Sequence, residues 1–322
     1  MKDDVLISVK NLKKYFPVRR GILKEKKYIK AVDGVCIDIH KGETFGLVGE
    51  SGCGKSTLGK CIIRMYDITS GEIYFKNKEI GKLKSSEIKS SRNNSMQIVF
   101  QDPYSALDPS WTVAKILSEP LIQKGASNKE CMERGKYLLN KVGMTEMDME
   151  RRPYEFSGGQ RQRIGIARAL MSNPEFVVCD EPISALDVSV QAQVINLLKD
   201  LQEEFGLTYL FASHDLSIVR YMSDWIGVMY SGKIVESGYS DKVYKNPLHP
   251  YTKILLDAIP SIYSEKRKKD ITISPENLDD FSNVYEGCPF AYSCEYAKEH
   301  CKEGKPLLQE VQSGHFVACF HY

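Results

Sequence analysis

The stretch GESGCGKST, residues 49–57, admits few folds. It follows the apolar run TFGLV at 44–48 and opens a helical stretch. A glycine-rich turn between a strand and a helix is the context that a phosphate-binding loop (P-loop) requires. Its glycines let the backbone curl until successive N–H groups point inward at an anion, and the helix N-terminus adds roughly half a positive charge. Gly49, Glu50, Ser51, Gly52, Cys53, Gly54, Lys55, Ser56 and Thr57 would form this cradle. Within it, Lys55 would reach the β- and γ-phosphates of a nucleotide and Ser56 would coordinate Mg2+.

Such a turn belongs to an α/β sheet, and the remaining pattern agrees. VCIDI (35–39), TFGLV (44–48), MQIVF (96–100), FVVCD (176–180) and TYLFAS (208–213) read as strands alternating with helical segments. That order argues for a largely parallel sheet with helices packed on it. Ligands of such sheets bind beyond the carboxyl ends of the strands. Residues 112–143 have helical periodicity without strands and read as a lobe inserted between two halves of the sheet. At 322 residues, with 42% hydrophobic and 27% charged, the chain can build one large α/β domain and an appendage. The spacing predicts a first unit over 1–262, its helical part roughly 102–172, and a second over 263–322. The basic run SEKRKKD at 264–270 marks the break.

A net charge of +2 gives no reason to propose a nucleic acid partner, although 19–30 and 264–269 are locally basic. The start MKDDVLISVK lacks the basic-then-apolar pattern of a signal peptide, and no run approaches the roughly 18 apolar residues that span a bilayer. The chain is therefore expected in the cytoplasm. Cysteines there are buried thiols, metal ligands or redox groups more often than disulfides, which suits the scattered Cys36, Cys53, Cys61, Cys131 and Cys179.

FVVCDEP supplies a second half of the site by delivering Asp180 and Glu181 to the same sheet edge. Asp180 would hold Mg2+ through water and Glu181 would polarise an attacking water. An isolated Asp-Glu pair is more often a solvated turn; a P-loop in the same chain reverses that reading. Ser157, Gly158 and Gly159 precede another helix but lack a lysine, so they form a second anion site at a helix N-terminus. One γ-phosphate can occupy both sites only if they face each other. A single chain could hardly fold that way, whereas two chains could.

The P-loop, the S-G-G-Q segment 23 residues before Asp180, the DEP end and SALD at 184–187 together resemble the nucleotide-binding subunits of ATP-binding cassette (ABC) transporters. The resemblance covers residues 5 to about 260. It implies a P-loop nucleotide-binding domain with a parallel-rich sheet core and a helical subdomain. It also implies a head-to-tail dimer in which Ser157, Gly158, Gly159 and Gln160 close over the neighbour's ATP. Carried over residue by residue, Gln101 would contact Mg2+ and the lytic water and signal to the membrane partner. His214 would sense the γ-phosphate, Asp187 would contact across the dimer, and Phe16 would stack on adenine, with Tyr15 or Tyr28 as substitutes. Unaided, Gln101 reads as a loop residue and a lone histidine as structural.

KYFPV (14–18), AVDGV (31–35), VFQDPYSALDP (99–109), NPLHPYTKILLDAIP (246–260) and a cysteine-rich tail narrow the resemblance to ATP-binding subunits of oligopeptide and dipeptide importers. What that implies is a peripheral protein on the cytoplasmic face of the membrane. Its partners would be a paralogous ATPase, two transmembrane permease subunits and, indirectly, an extracytoplasmic peptide-binding protein. Importers of nickel and other solutes share most of these strings. A soluble cassette ATPase of translation or DNA repair would usually carry two cassettes or a long coiled-coil insertion. A regulatory or redox-sensing protein, with ATP only a ligand, would not need Glu181 and His214.

GCPFAYSCEYAKEHC at 287–301, with Cys319, puts four of nine cysteines into the last 35 residues. Core thiols, zinc, a disulfide pair and an iron–sulfur cluster all remain open from the residues. Zinc ligand pairs usually stand two to four residues apart, against gaps here of five, six and seventeen. Compartment disfavours disulfides, and four thiolates can hold a [4Fe–4S] cluster. Similar tails, with Cys-Pro-Phe first and a histidine shortly before the last cysteine, occur in peptide-importer ATPases, some of which bind such a cluster. The resemblance implies Cys288, Cys294, Cys301 and Cys319 as its ligands, with His315 in the histidine's place, in a role that pins the tail beside the nucleotide domain.

Overall fold

The computed structural model describes residues 4–18, 27–83, 95–259 and 287–322; the expected break near 262 and the basic run at 264–270 lie outside them. Twelve strands are described: β1 Val5–Val18, β2 Lys27–His40, β3 Thr44–Val48, β4 Ser70–Phe75, β5 Lys78–Glu79, β6 Met96–Val99, β7 Phe176–Asp180, β8 Thr208–Ser213, β9 Trp225–Tyr230, β10 Lys233–Tyr239, β11 Gln309–Gln312 and β12 His315–Val317. Eight of them form one sheet in the order β11-β12-β10-β9-β3-β8-β7-β6. Its centre, from β9 through β6, is parallel. β10, β12 and β11 extend it antiparallel, so residues 309–317 pair with the same sheet that carries the P-loop strand.

β3, β7 and β8 are buried at every position, which is why they read as unbroken apolar runs: a parallel strand covered on both faces has no solvent side. Their side chains still alternate between two cores. Phe176, Val178, Leu210 and Ala212 face a cluster with Ile7, Val32, Leu58 and Ile62, whereas Val177, Cys179, Tyr209 and Phe211 face one with Leu117, Leu138 and Ile164. The helix Lys55–Ile62 thus packs between the large sheet and a four-stranded antiparallel sheet ordered β2-β1-β4-β5.

The opposite face is covered by the helices Val113–Ile122, Asn128–Lys141 and Gly158–Leu170, and the elements from Pro103 to Leu170 are all helical. Local chemistry sets their starts. Thr112 accepts from the Lys115 N–H, and Ser127 and Glu130 satisfy each other's backbone in a capping box. Among the described residues no helix is long and apolar enough to cross a membrane.

Candidate active site

The P-loop is shaped by close backbone approach. Gly54 sits at φ 111° at the cap of the helix Lys55–Ile62, and a Cβ there would overlap the Ala31 carbonyl of β2. Only glycine combines that dihedral with that proximity. Lys55 is 3% exposed and donates to the loop's own carbonyls, Gly49 O at 2.7 Å and Glu50 O at 3.0 Å. The Ser56 hydroxyl donates to Asp180 Oδ1 at 2.6 Å, and Lys60 Nζ lies 3.5 Å from Asp180 Oδ2. An adjacent hydroxyl and carboxylate are hard oxygen donors of the kind that Mg2+ takes in phosphoryl-transfer sites, so the residues present fit that ion.

Glu181 lies just past β7, where its backbone N–H donates to Ala212 O of β8 at 3.0 Å. Its φ is 46°, a left-handed conformation that costs a side-chain-bearing residue on the order of 1 kcal/mol and is held only where surroundings enforce it. The bend buries the carboxylate and gives it three neighbours. Oε1 is 3.4 Å from Lys55 Nζ, while Oε2 accepts from Gln101 Nε2 at 3.0 Å and lies 3.6 Å from His214 Nδ1. The ends of β3, β6, β7 and β8 therefore bring Lys55, Ser56, Gln101, Asp180, Glu181 and His214 together, as strand order requires once β8 sits between β3 and β7. Lys60, bound to the same aspartate, has no motif signal beyond standing one helical turn after Ser56.

Ser157 caps the helix Gly158–Leu170: its hydroxyl accepts from Gln160 N at 3.4 Å and its N–H donates to Gln160 Oε1 at 3.0 Å. A Cβ on Gly159 would overlap Val190, so the helix that follows Asp187 lies against this segment. Ser157, Gln160 and Asp187 are exposed, and Val188 beside them is 81% exposed. In the loop, Ser51 and Gly52 are exposed as well. Phe16 packs edge-to-face on Tyr66 at 5.9 Å with Lys14 Nζ 4.8 Å above its ring. The Tyr15 hydroxyl is tied to Asp33, and burial with that carboxylate raises its pKa above the ordinary phenol value. Tyr28 is exposed.

Cys288, Cys294, Cys301 and Cys319 line a single cavity together with His249, Phe290 and His321. The Cys301 sulfur accepts the Lys298 N–H at 3.5 Å. Burial, with the neighbouring thiols adding, raises the pKa of Cys288, Cys294 and Cys319. Among the described residues no three His, Cys, Asp or Glu side chains are placed to hold a single metal ion. His315 does not line the cavity. It is fully buried against Glu236 Oε1 at 2.7 Å, and Glu236 also accepts the Leu248 and His249 N–H groups at 2.8 Å. Burial lowers the His249 pKa to about 4 against the opposing pull of Glu236.

Two family descriptions match parts of the chain. Residues 32–184 match the family described as ABC transporter, and residues 235–301 match the family described as oligopeptide/dipeptide transporter, C-terminal region. The oligopeptide transport ATP-binding protein AppF of Bacillus subtilis is 48% identical, over 99% of this chain and 98% of that protein. OppF of the same organism is 50% identical over 98% and 96%. The dipeptide transport ATP-binding protein DppF of Haemophilus influenzae is 45% identical over 98% and 96%. Among solved structures, a dimeric post-hydrolysis state of the ATP-binding cassette MJ0796 bound to ADP and Pi superposes with a TM-score of 0.64 at 31% identity, over 73% of this chain and 98% of that one. Clostridium perfringens cbiO1, part of the complex cbiONQ, gives 0.65 at 28%, over 76% and 92%.

Proposed function

This chain belongs to the ATP-binding cassette family of transporter ATP-binding subunits, and on that premise we propose that it hydrolyses ATP to energise peptide uptake through an ABC importer. The observation that carries the chemistry is the convergence of Lys55, Gln101 and His214 on the buried Glu181 carboxylate beside Ser56 and Asp180. The peptide assignment is supported by relatives matched nearly end to end and named for oligopeptide or dipeptide transport.

In this reading Lys55 leaves the Gly49 and Glu50 carbonyls for the β- and γ-phosphates. Ser56, Gln101 and, through water, Asp180 would hold Mg2+, which would neutralise phosphate charge. Glu181 takes the proton of the attacking water, Gln101 and His214 orient that water and the γ-phosphate, and no covalent intermediate forms. Gly49 through Thr57 wrap the phosphates and Phe16 meets the adenine. Ser157 to Gln160 and Asp187, all on or near an outward face, act on the partner's nucleotide. The partner is a paralogous ATPase, and the pair drives two permease subunits from the cytoplasmic face, supplied by an extracytoplasmic peptide-binding protein. We divide the chain into the nucleotide-binding domain, 1–262 with a helical subdomain at 102–172, and a tail at 263–322. Purification from membranes tests the class: recovery with two polytopic subunits and a second ATPase is expected. Recovery alone, without nucleotide hydrolysis in any membrane fraction, contradicts it.

For the tail, we propose that Cys288, Cys294, Cys301 and Cys319 hold a [4Fe–4S] cluster. Support comes from their common cavity and from the N–H that Lys298 donates to Cys301, since such bonds stabilise cluster thiolates. The cluster would cross-link the tail rather than carry electrons. Anaerobically purified protein should be brown, with about four irons per chain, and should lose both in a Cys288→Ser, Cys294→Ser variant. Colourless protein with stoichiometric zinc, or with no metal, contradicts the assignment.

A further inference from the structure

We infer that Tyr251 is a positioning residue through which the cysteine-bearing tail sets how tightly the P-loop holds nucleotide; this rests on the reading of residues 49–57 as the nucleotide site. The Glu50 N–H donates to the Tyr251 hydroxyl at 2.9 Å, a bond between positions 201 residues apart. The same residue's carbonyl accepts from Lys55. One loop residue therefore joins the phosphate-binding lysine to the helix Pro250–Asp257. Tyr251 is fully buried, and its ring stands 4.7 Å from Tyr230 and 5.6 Å from Phe290 of the tail. Phe290, 1% exposed, lines the four-cysteine cavity. A continuous contact path thus runs from that cavity through Phe290 and Tyr251 to Glu50.

The direction of the effect follows from hydrogen-bond accounting. A buried aromatic hydroxyl needs a partner, and a backbone N–H left without one is more costly than the bond was favourable. Tyr251→Phe keeps the ring against Phe290 and Tyr230 but removes the acceptor for Glu50. The loop then has to be ordered by the nucleotide itself, and binding weakens on the order of five- to tenfold. Tyr251 touches none of Glu181, Gln101 and His214, so turnover at saturating ATP should stay within about twofold while KM rises.

Binding of a fluorescent ATP analogue to the full-length chain, paired with an ATP titration of turnover in the assembled complex, tests this. Tyr251→Phe is expected to weaken binding and raise KM with kcat preserved. Phe290→Leu, which keeps an apolar tail residue and every P-loop contact, is expected to weaken binding to a smaller extent. The double variant is expected to bind as Tyr251→Phe does, because both act on one path. Unchanged affinity in Tyr251→Phe, including the case where only its thermal stability falls, overturns the inference and leaves the ATPase reading standing. Wild-type affinity in Phe290→Leu, or additive losses in the double variant, overturns the link to the tail. A wild-type chain that binds no nucleotide would remove the site reading and the inference together.

Discussion

Replacing Glu181 by Gln should separate nucleotide binding from hydrolysis, and the structure sets the size of the effect. The amide matches the carboxylate in shape and can sit in the same left-handed turn, where φ is 46°. It can still accept from Gln101 Nε2, now 3.0 Å from Oε2. What disappears is the charge 3.4 Å from Lys55 Nζ and the base that takes the water's proton. Removing a positioned general base slows a reaction by roughly 100- to 10,000-fold, or about 3–5 kcal/mol in the barrier. Because Lys55 loses a competitor for the phosphates, ATP affinity should be equal or higher. Phosphate release at saturating ATP in the assembled complex, alongside size-exclusion analysis of ATP-trapped dimers, reads both quantities. A variant that turns over within about tenfold of wild type would refute Glu181 as the base, however well it binds.

Ser157→Arg puts a bulky cation on the exposed helix start, where Ser157 pairs with Gln160; it should leave this chain's own P-loop loaded and reduce hydrolysis at the partner's P-loop by at least about tenfold. Full turnover by a purified monomer, unaffected by the substitution, contradicts a shared site. Stability should fall in acid because His249 titrates near 4 when folded against 6.5 when free. The unfolded chain takes up the proton first, so stability present above the free value is lost as pH drops toward the folded one, by about 2 kcal/mol at about pH 5. Chemical unfolding across that range should show this slope reduced in His249→Asn; an identical slope in the variant would place the titration elsewhere.

How far these features were legible in the sequence depends on where their causes lie. FVVCD and TYLFAS announce themselves because β7 and β8 are covered on both faces. β1 does not, since VKNLKKYF carries its charges on a half-exposed strand broken by register shifts against β2. β12 is three residues long and exists by pairing with β10, a partner no local pattern specifies. The site divides the same way. Lys55, Ser56, Asp180 and Glu181 sit in dense local motifs, whereas Gln101 and His214 are single polar residues after strands, visible only through the family resemblance until β6 and β8 take their places on either side of β7. Tyr251 belongs to a string that marked the subfamily, yet its bond to Glu50 spans most of the chain and leaves no mark in spacing. The cysteine cluster was plain in the sequence, but its common cavity depends on the turns around 288–301 and on the pairing of residues 315–317 with β10.

The central claim, that hydrolysis at Glu181 powers peptide entry, is tested most directly by uptake of a labelled peptide into membrane vesicles. These would carry this chain with its partner ATPase and two permease subunits, with peptide-binding protein outside and ATP inside. The account predicts that peptide accumulates only with ATP and Mg2+ and that Glu181→Gln abolishes accumulation while the complex stays assembled and nucleotide-bound. Accumulation that continues in the Glu181→Gln complex, or ATP turnover that never moves peptide, would contradict it.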